Sequence, residues 1–471
     1  MQVTDSETPA VKATAQLSIL INPAGGGNLG LLSGNYAFYL NGFNSSGSWT
    51  LAGSFISNGN GSITSGVVDG NSMAGQPFMA NVTGNYSIST TGLNLITLQG
   101  QSWGPMTFAF VLDSTGNCRM IEYDDTTGQG SRGSGALRKA NSSTFALSAL
   151  NGNWVYGGAG TNYAGVRTVV VSEYTLTAGN ITNGAMDTNE GGTYKTGTFT
   201  GTMSAVDPQS GRVTATIYAG GEDNPFVGYV VSISEMVMES LYPQHPQAGS
   251  VLRQSGTFSK GTLNGLAVSY YQSIGGEGDD RSGAALLSCN GNGTFNILAE
   301  DDDDAGTITQ GQPEQGTYTV GANGAANFSG GGDTPAGFLI SHNKGFMVSI
   351  GSNPDFYWLE PQTGGPFSNA SMAGSYAGGT LPPLDYVNAH DEADVGSADG
   401  LGTLTFSGDS SGSDGLDQAF GQIVNYNIAA NGRGTAESQG DHAPNIVYMI
   451  SPTKWVVMLP KTDARMAVFQ H

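Results

Sequence analysis

Cysteine is almost absent: Cys118 and Cys289 are the two in 471 residues. That excludes a disulfide framework and a thiolate zinc site, which need clustered cysteines. An isolated thiol on a strand behaves as a small buried hydrophobe. Positive charge is scarce as well. The 16 Lys and Arg face 38 Asp and Glu, a formal charge of −22. Nucleic acid and anionic membrane surfaces require clustered cations, so neither is an expected partner. No stretch reaches the roughly 18 apolar residues of a membrane-spanning helix, and membrane insertion is not expected. The start lacks a basic segment followed by an apolar core of about 7–15 residues. The chain is then either cytoplasmic or a mature form or fragment; the strand-like character of residues 1–23 favours the second, an extracellular or cell-surface protein whose signal peptide is removed or upstream. No long stretch shows the apolar spacing of a helix.

What the chain has instead is glycine, at 73 positions, and an internal repeat. Four segments open alike, at Leu32-Ser33-Gly34-Asn35-Tyr36, Leu150-Asn151-Gly152-Asn153-Trp154, Leu263-Asn264-Gly265-Leu266-Ala267 and Met372-Ala373-Gly374-Ser375-Tyr376. A Phe precedes the last three by five residues, at Phe145, Phe258 and Phe367. A hairpin glycine follows in each copy, at Gly61, Gly179, Gly293 and Gly402. Next comes Tyr86, Met203, Tyr318 or Tyr426, and then an apolar strand at Phe110, Tyr229, Phe338 or Tyr448. Four landmarks in one order over four copies mark tandem units of about 110 residues. The expected division is 1–31 as a leading strand segment, then repeats at 32–140, 141–257, 258–365 and 366–471.

Within a copy the strands alternate: Tyr36, Phe38 and Leu40 share one face, as do Phe108, Phe110 and Leu112. That is the period of a half-buried antiparallel strand. Turn formers such as Asn58-Gly59-Asn60-Gly61 separate them. The first copy holds eight strands, near 35–40, 50–57, 62–68, 79–88, 93–99, 106–113, 118–123 and 134–138. An all-β chain of four eight-stranded up-and-down barrels is the simplest arrangement, because closure leaves no edge exposed. Two-sheet sandwiches are the alternative. The openings Gly34-x-Tyr36, Gly152-x-Trp154 and Gly374-x-Tyr376 resemble the first strand of lipocalin and avidin barrels. That resemblance implies a basic residue on a late strand, for which Arg138, Arg253 and Arg465 are placed. Residues 32–471 as a whole resemble uncharacterised Gly-rich units of large secreted proteins of environmental bacteria. Residues 2–22, from Gln2-Val3-Thr4-Asp5-Ser6 to Asn22, resemble the closing strands of a bacterial cadherin-like Ig domain.

Candidate chemistry is thin. Glu300-Asp301-Asp302-Asp303-Asp304 is the densest acidic run. Asp69-x-Asn71, Asp187-x-Asn189 and Asp301-x-Asp303 share a spacing of hard oxygen donors. Asp301, Asp302, Asp303 and Asp304 are thus candidate calcium ligands, against the alternative of Asx turns that need no metal. No other cofactor is expected. Gly408-Asp409-Ser410-Ser411-Gly412 matches the serine-hydrolase elbow, but the residues after it cannot supply the required helix. Asp385, His390, Asp391, Glu392 and Asp394 crowd one loop of the fourth copy without the nitrogen or sulfur ligands zinc prefers. No catalytic residue is named. The leading expectation is a non-enzymatic surface or filament protein of stacked barrels. Its partner would be itself, by strand addition through residues 11–22, or an extracellular matrix or glycan. The alternatives are a multivalent binder of glycans or small ligands, and a hydrolase with one specialised copy.

Overall fold

The structure, a computed structural model, describes residues 2–4, 12–14, 27–90, 93–101, 103–274, 280–311, 313–330, 334–387, 389–438, 444–460 and 464–471. Each repeat closes into an eight-stranded antiparallel barrel in which neighbours in sequence are neighbours in the wall. Barrel 1 is built from Ser33–Asn44, Gly47–Asn58, Ser62–Ser72, Phe78–Ile88, Asn94–Gly100, Met106–Leu112, Cys118–Glu122 and Arg132–Ala140. Its last strand returns to its first, with Leu137 opposite Phe38. Barrel 2 runs from Gly152–Thr161 to Gln247–Arg253, barrel 3 from Asn264–Ile274 to Phe356–Pro361, and barrel 4 from Gly374–Thr380 to Arg465–Gln470. In barrel 3 the fourth strand is broken into Thr307–Gln310 and Glu314–Val320, both paired with Thr294–Asp304. The break falls beside Pro313, which has no N–H for a ladder. Among the described residues no helix is long and apolar enough to cross a membrane.

The repeat landmarks have physical causes. The opening glycines Gly34, Gly152, Gly265 and Gly374 all carry positive φ, and so do the hairpin glycines Gly61, Gly179, Gly293 and Gly402. A Cβ is disfavoured in that region, so these two positions hold while the strands between them diverge. Ahead of each opening glycine a short 3₁₀ turn drops one apolar side chain into the barrel's end: Leu32, Leu150, Leu263 or Met372, each fully buried. The landmark tyrosines latch that end. Tyr86 donates to the Leu29 carbonyl at 2.9 Å, Tyr318 to that of Leu263 at 2.6 Å and Tyr426 to that of Asn369 at 3.2 Å. Met203, in barrel 2, has no hydroxyl with which to do so. Both cysteines are buried and free.

The barrels form a ring, not a string. Apolar residues on the outer walls meet at four seams. Ala37 and Ala52 of barrel 1 face Val227 and Tyr229 of barrel 2. Val155 and Val171 of barrel 2 face Phe338 and Phe346 of barrel 3. Val268 and Leu286 of barrel 3 face Tyr448 and Met458 of barrel 4. Barrel 4 then returns to barrel 1, Ala377 and Ala393 meeting Ala109 and Val111. The expected stack, in which each unit meets only its sequence neighbours, is therefore replaced by a closed circuit. The leading segment adds a short pairing of Gln2–Thr4 with Lys12–Thr14. The rest of the proposed donor strand 11–22, and most of the cadherin-like resemblance, lie outside the described residues.

Two of the seams share one polar clamp. At the first, Arg212 of barrel 2 makes a bidentate pair with Asp69 of barrel 1, both bonds 2.7 Å, and Tyr229 donates to the same carboxylate. At the third, Arg433 of barrel 4 pairs with Asp301 of barrel 3, again at 2.7 Å twice, and Tyr448 adds a bond of 2.6 Å. The odd barrel supplies the acid and the even barrel the arginine and tyrosine, so the ring is two similar halves. The second seam uses Asn189 instead, which donates to the carbonyls of Ser349, Gly351 and Asn353.

The fourth seam buries acid. Arg132 donates to the Ala389 carbonyl at 3.0 Å, and Asp391 lies fully buried in barrel 4's wall. Burial pushes the Asp391 carboxyl up to about 8, against the opposing pull of Arg465 and Arg132.

Two outcomes follow. Removing one partner of a buried pair strands the other, so Asp69→Asn and Asp301→Asn should each cost about 3–5 kcal/mol, read from urea unfolding. A loss under about 0.5 kcal/mol, the range of surface changes, would show that solvent screens the clamp. Asp391 holds its proton more tightly folded than unfolded. Its contribution is complete below the ordinary carboxylate range and is lost as pH rises through about 8. Stability should therefore fall between about pH 4 and 8, and Asp391→Asn should flatten that slope. An unchanged slope in the variant would place the titration elsewhere.

Candidate functional site

The four interiors are filled differently. In barrel 1, Phe38 lies against Phe55 and Phe108, with ring centroids 6.2 and 6.4 Å apart. In barrel 4, Trp455 stacks on Phe469 at 4.2 Å. The cavities left inside barrels 3 and 4 measure ≈ 50 and ≈ 60 Å³, room for a water or two. Barrel 2 holds a cavity of ≈ 580 Å³, opening between the hairpins near Glu190 and Glu222. That is within the range of about 300–1,000 Å³ typical of small-molecule sites.

Barrel 1 places Phe110 opposite Met120, pointing inward. Barrels 2 and 3 have Gly228 and Gly337 at the matching step, opposite Met238 and Met347. The wall is otherwise apolar, with Met186, Phe199, Phe226 and Met238, and Lys195 and Glu190 pair across the rim at 3.3 Å. Polar groups in it stand out. The hydroxyls of Tyr156 and Tyr174 and the amide nitrogen of Gln247 are buried with no hydrogen-bond partner among the described residues. Tyr156 and Tyr174 are only 6% and 3% exposed, and burial raises both phenols far above their ordinary range. They remain neutral donors. Tyr174 is fixed edge-on to Phe199 and Tyr156 edge-on to Phe226. Gly158 makes room for Tyr156, whose hydroxyl would lie 2.1 Å from a Cβ there. Beneath the cup, Arg253 sits over the Trp154 ring at 5.8 Å and donates to the Asn151 carbonyl. Of the three late-strand arginines, this one stands against its own barrel's opening aromatic; Arg138 bonds Glu235 and Arg465 bonds Glu392.

The acidic run lies on one strand, Thr294–Asp304. Asp301 holds Arg433 and Tyr448 across the seam, and Asp303 accepts the Gly306 N–H at 2.8 Å. Asp302, facing the other side, accepts the Tyr271 hydroxyl at 2.8 Å, and Asp304 is 3.8 Å from Arg281. The alternation of the strand sends the four carboxylates to both faces. Asp69 is the other clamp acid, so the shared spacing marks a seam. Gly408–Gly412 lies within the strand Thr403–Gly412, with no helix after it. Barrel 4 does gather acids: Glu392 and Asp394 line its small cavity, and Glu392 is reached by Arg465 at 2.6 Å and by His390 at 3.2 Å. A space of ≈ 60 Å³ admits no sugar ring.

The cup itself escaped sequence reading. The apolar-strand landmark also set Phe110 level with Tyr229, one residue out. Tyr229 faces outward to Asp69, whereas Phe110 faces inward.

No family model and no curated protein matches the chain. Among solved structures it is similar to a protein of unknown function from the DUF3598 family of Nostoc punctiforme. That match has 8% identity over 48% of this chain and 99% of that one, with a TM-score of 0.16. It is also similar to a double mutant of the vaccine antigen transferrin binding protein B from Haemophilus parasuis. Here identity is 10% over 98% of both chains, and the TM-score is 0.19. Scores this low carry no argument, and they show neither a repeat family nor a cadherin-like relative.

Leaving a hydroxyl buried and unpaired costs stability, by about 1–3 kcal/mol. Tyr174→Phe should therefore raise the melting temperature of the ligand-free protein while weakening any ligand that accepts from that hydroxyl. A lowered melting temperature would mean the hydroxyl is satisfied in the fold and is no part of a site.

Proposed function

We propose that this is a non-enzymatic binding protein whose second barrel receives one small, neutral, mainly apolar molecule bearing an acceptor oxygen. The observation that carries the reading is the ≈ 580 Å³ cup with three buried donors that have no partner among the described residues. Its apolar wall supplies affinity, at about 0.8 kcal/mol per buried CH₂. Tyr156, Tyr174 and Gln247 supply orientation, because a ligand that leaves them unpaired forgoes their hydrogen bonds. The multivalent binder of the alternative expectation becomes a binder with one site, since barrels 3 and 4 have little room and barrel 1 is filled by Phe38, Phe55 and Phe108. Acidic composition and the Gly-rich tandem organisation support residence outside the cell or at its surface. Ligand binding is preferred to filament formation because it rests on a built cavity.

A neutral fluorescent probe such as N-phenyl-1-naphthylamine tests it. Emission should saturate at one probe per chain, and Met186→Trp, which fills the cup from its wall, should abolish the rise. No saturable signal, or a stoichiometry near four, would overturn the reading.

A further inference from the structure

A second site lies where the four barrels meet. Around the ring's centre is a cavity of ≈ 280 Å³ with residues from every barrel in its wall. Outer-wall residues of the first strands help to line it: Tyr39 in barrel 1, opposite Ala136, Gly157 in barrel 2, opposite Ser250, and Tyr270 in barrel 3, opposite Trp358.

Its charge runs against that of the chain. The wall contains five cations, Arg119, Arg138, Arg167, Lys344 and Lys454, and three acids, Asp113, Glu235 and Glu360. The surplus of two positive charges (5 − 3) stands in a protein of formal charge −22. Several of these groups are already committed. Arg138 bonds Glu235 at 3.0 Å, Arg167 donates to the Pro354 and Gln272 carbonyls, and Gln470 donates to Asp113. Glu360 accepts from Lys454 at 2.6 and 2.7 Å and from Tyr270 at 2.8 Å. Arg119 and Lys344 are half-buried and have no hydrogen-bond partner among the described residues. Burial lowers the pKa of Arg119 and of Lys454; both feel the field of Glu360, and Lys454 also feels Lys344 and Arg119. Three cations share one carboxylate.

We infer that this axial cavity is a binding site for a small dianion, an oxyanion or dicarboxylate, held by Arg119 and Lys344 with Lys454 beside them. Two half-buried positive charges with no hydrogen-bond partner among the described residues, beside a third cation, favour the arrival of a counter-charge. A guanidinium with free N–H groups takes an oxyanion in a two-pronged geometry, and the ammonium groups add point charge. The site draws its three cations from different barrels: Arg119 from the first, Lys344 from the third and Lys454 from the fourth. Occupancy would therefore tie the two halves of the ring together.

Titration calorimetry of the whole chain with sodium sulfate, in sodium chloride of matched ionic strength, tests this. One saturable site per chain is expected. The double variant Arg119→Gln, Lys344→Gln should lower affinity by at least about tenfold, while Arg119→Lys keeps most of it and naphthylamine binding in barrel 2 is unchanged. No saturable heat up to about 10 mM, far weaker than a paired cationic site would give, overturns the proposal. So does binding that the double variant leaves intact. If that variant fails to fold, crystals of the parent soaked in selenate decide: an anomalous peak among Arg119, Lys344 and Lys454 supports the site, and peaks confined to the outer surface refute it.

Discussion

Closure of the ring is the constraint on which the rest depends. A closed barrel normally buries one face of its wall and wets the other. Here each barrel presents two outer faces to neighbours, so stretches of its wall are buried from both sides. Phe108 to Val111 and Tyr448 to Ile450 are continuous buried runs. Inward side chains make four separate cores; outward ones make four seams. The clamp acids Asp69 and Asp301 hold because both their oxygens are engaged by a guanidinium and a phenol. An unpaired carboxylate between apolar walls would be strongly destabilising.

The same constraint separates what the sequence showed from what it hid. The barrels were legible because closure leaves local marks: glycines at positive φ, alternating apolar residues and hairpin spacings recur in each copy. The eight strands of barrel 1 fall where alternation put them. The ring was not legible in that reading, because alternation was read for its inward half. Ala109 and Val111 lie between Phe108, Phe110 and Leu112, and their apolar character was the sign of a second buried face. A strand apolar on both sides has no wet side. The D-x-[DN] spacing is open to calcium ligands or Asx turns in the sequence; in the fold Asp69 and Asp301 each pair with an arginine of the next barrel. Nothing near either aspartate in the chain points to Arg212 or Arg433, which follow at distances of 143 and 132 residues.

The clamps also show how the chain is organised above the repeat. Acid in the odd barrel and Arg–Tyr in the even one occur twice. The second and fourth seams have no such clamp: the second is built on Asn189, whose bonds to a neighbour's carbonyls Asn71 also makes at the first, and the fourth on buried acid and Arg132. The clamp thus marks the seam within each half and is missing from the seams between halves. Diverged seams give the ring one way to close, because barrel 4 cannot substitute for barrel 2 against barrel 1 without leaving Asp391 or Asp69 mismatched.

External support is also what lets one barrel be hollow. An enclosed empty cavity of several hundred cubic ångströms would cost on the order of 10 kcal/mol, comparable to the stability of a whole domain. Barrel 2 avoids that by opening its cup to water at the hairpin rim. It keeps its shape because both flanks of its wall are held from outside, by the Asp69 clamp on one side and by Asn189 and the valine–phenylalanine seam on the other. Met203, which forgoes the latch that a tyrosine makes in the other three copies, is in this barrel. A lone eight-stranded unit with an open cup in its core and a missing latch would be poorly supported from within. Four fused units allow one of them to spend its interior on binding, because its neighbours supply the contacts its own core lacks.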